Sequence, residues 1–370
     1  MEKRKTRSES ATPTLSVVLT VFNMQECLRE CLESIHAQTF EDYELICVDD
    51  GSTDNSPAIL SETAPQFASC SVIRQENAGP AAARNAGIDA ARGRFLLLLD
   101  ADDRFAPTLF ERMVSRAEET DADVVVCRSR EFDHASGKTR ATDWTVRAEL
   151  LPCAPAFRAA ETQGCPFTAF MGWPWDKLYR TSFIRECGLR FPNLPNSEDF
   201  PFVFLALVKA RAIAVADETL IDHRIKRRGS TSNSRLLSPR SFYEGIVLLK
   251  RLLEQEPDYP LLKWGYLNWA VNYTCWNIES LPEGSAGRAE LVRSLAAGEF
   301  DELELSLHPT SYFALQADTS WALKRLEREH RTGRAQRKSP WEYLSVGFDR
   351  LGKSKLARTA KRTAAQTPES

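Results

Sequence analysis

The sequence predicts an α/β fold, a mostly parallel sheet flanked by helices, with a helical appendage toward the C-terminus. Three observations carry this. Short apolar runs alternate with helical stretches from residue 15 onward, the pattern of right-handed β-α-β units. Two of those runs end in acidic clusters, Asp49-Asp50 and Asp100-Ala101-Asp102-Asp103, and ligands of open parallel sheets bind outside the carboxyl ends of strands. After residue 238 the alternation gives way to long helical stretches.

The elements follow in order. Residues 1–14 are a polar leader. Residues 15–22, L-S-V-V-L-T-V-F, suit a central strand covered on both faces. A helix is predicted over 25–37, where Leu28, Leu32 and Ile35 share a face with Cys27 and Cys31. Residues 43–48 form the next strand, closed by Asp49-Asp50-Gly51-Ser52-Thr53-Asp54, a turn in which Ser52 or Asp54 can cap the following helix. A strand at 71–74, the loop Asn77-Ala78-Gly79-Pro80, a helix over 81–92 and a strand over 95–99 repeat the scheme. A helix over 107–120 and a strand over 123–128 continue it, and 131–167 reads as an irregular excursion or lid. Helices are predicted over 243–256 and 261–278, ahead of a basic tail. The expected organisation is a catalytic domain over 15–238, with a donor half at about 15–130 and an acceptor half at about 165–238. A helical appendage over 239–330 and a basic tail over 331–370 complete it.

Composition narrows the class. The 370 residues are 43% hydrophobic and 27% charged, which excludes wholesale disorder and fibrous repeats. The chain is long enough for a large domain and a smaller unit, since single cores stop growing at about 250–300 residues. No run approaches the roughly 18–20 apolar residues of a membrane span. The leader lacks an apolar stretch, so no secretory signal is expected and the catalytic domain is placed in the cytoplasm. Nine cysteines without a C-x-x-C pair point to reduced core residues rather than a disulfide framework or a zinc cluster. The net charge of −3 conceals an asymmetry: after residue 320 there are 13 Lys or Arg against 5 Asp or Glu, a net of +8, which leaves −11 on the rest. Trp341, Tyr343, Leu344, Val346, Phe348 and Leu351 interleave with that charge, which suits a helix lying on an anionic membrane surface at least as well as nucleic acid. A solvated terminus is the plain alternative.

The clustered carboxylates of Asp100, Asp102 and Asp103 repel one another unless a hard divalent cation is shared with substrate phosphates. An Asp-rich solvated turn is the plain reading of that cluster alone. A second acidic strand end at Asp49-Asp50 favours one crevice that uses both, where a carboxylate can accept from a uracil imide or a ribose hydroxyl. Glu198-Asp199 stands just before an apolar helix, placed either to cap it or to expose a base.

The segments L-S-V-V-L-T-V-F-N, Q-T-F, C-V-D-D-G-S-T-D-N-S, N-A-G-P-A-A-A-R-N-A-G and L-L-L-D-A-D-D, in this order and spacing, resemble a family 2 glycosyltransferase. The resemblance covers about 15–105 strongly and 170–235 more loosely. It implies a GT-A fold of the bacterial cell-surface polysaccharide type and inverting transfer from a nucleotide sugar, a UDP-sugar by expectation. The acceptor would be a hydroxyl of a glycan or lipid-linked oligosaccharide, and the cofactor Mn²⁺ or Mg²⁺. By resemblance Thr20, Phe22, Asn23 and Asp50 lie around the base, with Asp50 the candidate reader of uracil. Arg84 approaches the base or diphosphate, Asp100 the ribose, and Asp102 with Asp103 the metal. Asp199 is expected as the base, supported by Glu198. Trp175 and Lys177, from a segment similar to the family's W-x-K-L-Y-R element, and His223 and Arg224, from one similar to Y-R-x-R-x-G-S, are expected on the acceptor or diphosphate. Asp176 stands where many relatives have Asn. His223 is also a candidate metal ligand or a structural histidine.

Two other readings stand beside this. A nucleotidyltransferase wants a Gly-rich phosphate loop after the first strand, which Val21-Phe22-Asn23-Met24 lacks. A catalytically silent nucleotide-sugar-binding or scaffold protein would have lost Asp102 or Asp199, and both are present. No nucleic-acid partner is expected, and the sequence is silent on oligomeric state, on which sugar moves and on the linkage formed.

Overall fold

The computed structural model describes residues 12–162, 166–227 and 238–303, together with Leu326, Glu329, His330 and Thr332. The basic tail and the segment Arg228-Gly229-Ser230-Thr231-Ser232 lie outside these residues, apart from Thr332. Two compact units divide between Trp269 and Ala270.

The first unit begins β1 (Leu15–Val21), α1 (Leu28–His36), β2 (Tyr43–Asp49), α2 (Ser56–Thr63), β3 (Cys70–Arg74), α3 (Pro80–Ala90) and β4 (Phe95–Asp100). It continues through β5 (Arg104–Phe105), α4 (Leu109–Thr120), β6 (Val124–Asp133), β7 (Thr139–Ala141), α5 (Pro166–Ala169), β8 (Lys177–Arg180), α6 (Thr181–Glu186), α7 (Asp199–Lys209), β9 (Ile213–Ile225) and α8 (Ser241–Leu253). The strands form one sheet in the order β3-β2-β1-β4-β8-β6-β9-β5, with β7 on β6. The first four run parallel, as the alternating pattern predicts. Beyond β4 the sheet is mixed, because β8 returns antiparallel between β4 and β6 and β5 pairs antiparallel with β9.

Register levels the two acidic ends. Thr20 on β1 lies opposite Asp100 on β4, and Val21 lies opposite Asp49 on β2. The helical periodicity of α1 turns Leu28, Cys31, Leu32 and Ile35 inward, where they join Leu15, Val17, Leu19, Leu45, Cys47, Leu97 and Leu99 in one core. On the other face α3 lies so close to β1 that a Cβ on Gly87 would stand 2.2 Å from Val18 Cγ1. That contact fixes where Arg84, one turn earlier, emerges.

The excursion over 131–167 is tied down at several points. Thr142 Oγ1 donates to Ser129 O, Arg128 Nη1 donates to Val146 O, and Arg147 N–H donates to Ala169 O. Strand β9, paired with β6 over most of its length, has no clear sequence signal, and a bulge near Cys127 and Arg128 bends the pair.

α9 (Tyr259–Ser280) crosses the unit boundary, and α10 (Ala286–Ala296) lies in the second unit. Ser285 caps α10 by accepting from Arg288 N–H, and Arg288 grips Glu329 through two hydrogen bonds of 2.8 and 2.7 Å. No helix among the described residues is long and apolar enough to cross a membrane.

Candidate active site

Strand β4 delivers Asp100 to the sheet edge, and the turn that follows is caught by β9, because Arg104 pairs with Asp222. Asp103 is thereby fully buried. Its Oδ1 accepts from Arg224 N–H at 2.8 Å, and its two oxygens lie 3.1 and 3.2 Å from His223 Nδ1. Asp102 turns the other way: its carbonyl accepts from Arg224 Nε at 2.6 Å and its Oδ2 from Arg227 Nε at 3.2 Å.

These charges reset one another. Burial first, then Asp103 and Asp100, push the Asp102 carboxyl up to about 6, against the pull of Arg227 and His223. Burial opposes charge on His223, yet Asp103, Asp102 and Asp100 together lift it to about 9.

Arg84 occupies the centre. It is almost wholly buried on α3, and its Nη2 donates to Asp100 at 3.0 Å. Its Nη1 donates to Glu198 at 2.9 Å and to Asp199 at 2.6 Å, where the chain enters α7. The guanidinium also lies over Phe191, 5.2 Å from the ring centroid. Burial raises the Asp199 carboxyl well above the ordinary carboxylate range, Glu198 and Asp100 add to this, and Arg84 opposes it. In this structure the hydrogen bonds of Arg84 thus go to three carboxylates.

The loops after β1 and β2 are laced together. Asn23 Oδ1 accepts from Thr53 N–H at 2.8 Å, and Asn23 N–H donates to Ser52 Oγ at 3.0 Å. Asp50 is buried, and both its oxygens are engaged: Oδ1 by Gln75 Nε2 and Ala78 N–H, Oδ2 by Gly79 N–H, at 2.7 to 2.9 Å. Gly79 takes φ of +89°, a conformation open to glycine. Asp50 here fixes the 75–79 loop, which qualifies its expected part as reader of the base. Thr20 Oγ1 reaches Asp100 at 3.4 Å, and Phe22 is exposed. Non-glycine residues at positive φ are few, and three of them, Asn23, Ser197 and Lys226, stand in the loops that meet here.

Three expected contacts move. Lys177 is fully buried and donates to Met171 O, Trp173 O and Asp176, so its charge is spent inside the fold and cannot meet a diphosphate. Trp175, 3% exposed, packs against Trp173 and against His223, each centroid at 4.8 Å, and those two rings lie 5.7 Å from each other. It holds the His223 ring instead of offering a face to an acceptor. Asp103, expected on the metal, is consumed by His223 and Arg224.

Sequence reasoning overlooked Glu30, which accepts from Arg104 and Arg224, and Phe132, over which both guanidiniums lie at 3.8 and 4.3 Å. Neither carries a motif, since α1 and β6 bring them to Arg104 on β5 and Arg224 on β9 only through the tertiary fold. Gln75 and Arg227 were within reach as neighbours of quoted motifs. A cavity of about 310 Å³ lined by Asn23, Met24, Gln25, Glu26, Cys27, Thr53, Asp54 and Arg227 opens beside Asp102's partner.

The parallel sheet with acidic strand ends and a carboxylate pair facing them defines a class. Residues 16–188 match the sequence model of glycosyl transferase family 2, and this segment belongs to that family. The chain is similar to the putative glycosyltransferase EpsH of Bacillus subtilis, at 37% identity over 218 residues, 58% of this chain and 61% of that protein. It is also 28% identical over 235 residues to the poly(ribitol-phosphate) beta-glucosyltransferase of Bacillus spizizenii, covering 62% of this chain and 35% of that one. The chain thus spans about three fifths of the length of EpsH and about a third of the second protein. Among solved structures, S. aureus TarS 1–349 superposes with a TM-score of 0.63 at 21% identity, covering 88% of this chain and 93% of that one. The same fragment in complex with UDP-GlcNAc gives 0.59 at 20%, with the same coverage of both chains. The fold is of the GT-A type.

Proposed function

We propose that this chain is an inverting glycosyltransferase that moves a sugar from a UDP-sugar to an acceptor hydroxyl of a cell-surface glycan or lipid-linked oligosaccharide. The observation that carries the reading is the Arg84 bridge, which holds Asp199 at the start of α7 within one guanidinium of Asp100 at the end of β4. A base is thereby stationed beside the acidic strand end. Kinship with a poly(ribitol-phosphate) glucosyltransferase and likeness to a fragment that binds UDP-GlcNAc support the donor and the acceptor class.

The residues fit a divalent cation. Asp102 is a largely buried carboxylate onto which burial, then Asp103 and Asp100, press a proton. Asp103, bonded to His223 Nδ1, orients that ring, so that Nε2 would be the ligand atom once a cation displaces its proton. Among the described residues no group of three His, Cys, Asp or Glu side chains forms a cation site, so substrate phosphates would have to complete the shell. Asp102 and His223 would hold Mn²⁺ or Mg²⁺, which supplies positive charge for the departing diphosphate.

Asp199 takes the proton from the acceptor hydroxyl, and that oxygen attacks the anomeric carbon from the face opposite the leaving UDP, inverting it. Burial raises its affinity for protons, which strengthens it as a base. Glu198 shares the guanidinium with it and keeps Arg84 in register. Arg224 and Arg227 flank Asp102, so their positive charge would lie beside a diphosphate held there. The basic segment after residue 320 suits a peripheral location at an anionic membrane surface.

Incubation of the full chain with UDP-glucose, UDP-galactose and UDP-GlcNAc in the presence of Mn²⁺, with the product anomer read by proton NMR, tests this. Inversion, lost in Asp199→Asn, is the expected result. Retention of configuration, or full activity in the variant, removes the assigned base.

A further inference from the structure

One side of α1 runs along the acidic turn and grips it at successive points. Cys31 Sγ donates to Asp100 O at 3.9 Å. Ser34 Oγ accepts from Phe105 N–H at 3.2 Å. Gln38, just past the helix end, donates to Ala106 O at 2.7 Å and accepts from Phe110 N–H at 3.0 Å. Glu30, one turn ahead of Ser34, begins this row of four-residue spacing and is the member of it that carries charge.

The partners of Glu30 lie on two strands. Its Oε1 accepts from Arg104 Nη1 on β5 at 3.1 Å, and its Oε2 accepts from Arg224 Nη2 on β9. Both guanidiniums lie over the Phe132 ring, and two like charges held so close repel unless they share an anion. Burial opposes charge on Glu30, yet hydrogen bonds from Arg224 and then Arg104 hold its carboxyl below the ordinary range. The Arg224 side chain is 4% exposed, and its other donors are engaged as well. Its backbone N–H goes to Asp103 at 2.8 Å, its Nε to the Asp102 carbonyl at 2.6 Å, and its Nη1 meets His134 Nδ1 at 3.0 Å. A single arginine therefore links the α1 carboxylate to the backbone of Asp102 and the carboxylate of Asp103.

We propose that Glu30 is a positioning residue of the donor site, acting through Arg224 to set the turn that presents Asp102 to a cation-bound nucleoside diphosphate. This rests on the glycosyltransferase reading above and deepens it. Arg224 has a flexible stem, and Glu30 fixes the far end of its guanidinium, so that the bonds to the 102–103 turn are in place before a donor arrives. Glu30 itself touches neither the donor nor the cation. Its hydrogen bonds go to neither Arg84 nor the start of α7, which leaves proton transfer as it is. Loss of a negative charge near a diphosphate would by itself tighten anion binding, whereas loss of positioning loosens it. The two effects differ in sign.

The test is calorimetric titration of UDP into the full chain with Mn²⁺, on the native protein and on Glu30→Gln, which sets an amide NH₂ against one of the guanidiniums. Affinity should weaken about tenfold, as loss of an outer-shell partner allows, while kcat at saturating donor and Mn²⁺ stays within about twofold. Glu33→Gln removes the same charge from an exposed position on α1 and should leave affinity unchanged. Arg224→Lys keeps the charge but loses the fork; it should weaken UDP as Glu30→Gln does, and the double variant should lose no more than either alone. If Glu30→Gln does not fold in thermal unfolding, Glu30→Asp, whose carboxylate falls short of both arginines, is read by the same criteria. Equal or tighter UDP binding overturns the proposal, as does a matching loss in Glu33→Gln, additive losses in the double variant, or a fall in kcat as large as that in affinity. Failure of the native chain to bind UDP strikes the underlying reading instead.

Discussion

Arg84 Nη1 stands 2.6 Å from Asp199 Oδ1, although the two residues are 115 positions apart. Because the same guanidinium holds Asp100, one side chain on α3 ties the acidic end of β4 to the start of α7. Its burial leaves Glu198 and Asp199 dependent on it for charge balance.

Removing that balance has two expected effects. Arg84→Gln strips a buried pair of its partner, which costs about 3–5 kcal/mol, and thermal unfolding should show the lower Tm. Arg84 lowers the proton affinity of Asp199, so without it that affinity rises. The acid limb of kcat/KM against pH should therefore move to higher pH, with Arg84→Lys intermediate. A limb that stays in place means Asp199 is not the titrating base.

Asp199→Asn separates chemistry from stability. A general base contributes about 10²- to 10⁴-fold, so kcat should fall within that range while affinity for UDP holds. The charged form of Asp199 is disfavoured in the fold, and the neutral amide should leave Tm equal or higher. An unaffected kcat would relocate the base.

The contact of α3 with β1 sets where Arg84 emerges. Gly87→Ala puts a methyl group 2.2 Å from Val18 Cγ1, and overpacking of this kind costs about 1–3 kcal/mol. Urea unfolding should register that loss, and Val18→Ala in the same chain should recover part of it. Equal stability in the double and single variants would show that the strain lies elsewhere.

The first four strands are legible in the sequence to within about one residue at each end, since each is a short apolar run stopped by a charge or turn. Strand β9 is not, because Asp217, Glu218, Asp222, His223 and Arg224 interrupt its apolar residues. Those charges make sense only once β5, β6 and α1 supply Arg104, Arg130 and Glu30. Lys177 shows the same limit at the site: its charge is visible in the sequence, but its neutralisation by Asp176 and two carbonyls is a property of the folded turn. Trp175 and Trp173 are two residues apart and chemically alike, and burial alone distinguishes them. Motif spacing found the acidic residues because a strand end projects them together, and it could not say which oxygens the fold had already engaged.

The central claim is a cation-assisted UDP site at Asp102. Calorimetry of UDP and of GDP, with and without Mn²⁺, on the native chain and on Asp102→Ala tests it most directly. UDP binding that needs Mn²⁺, exceeds that of GDP and weakens at least about tenfold in the variant is the predicted result, within the range seen when metal-site residues are lost. UDP binding of equal strength without Mn²⁺ or in Asp102→Ala, or no binding of either nucleotide, would contradict it.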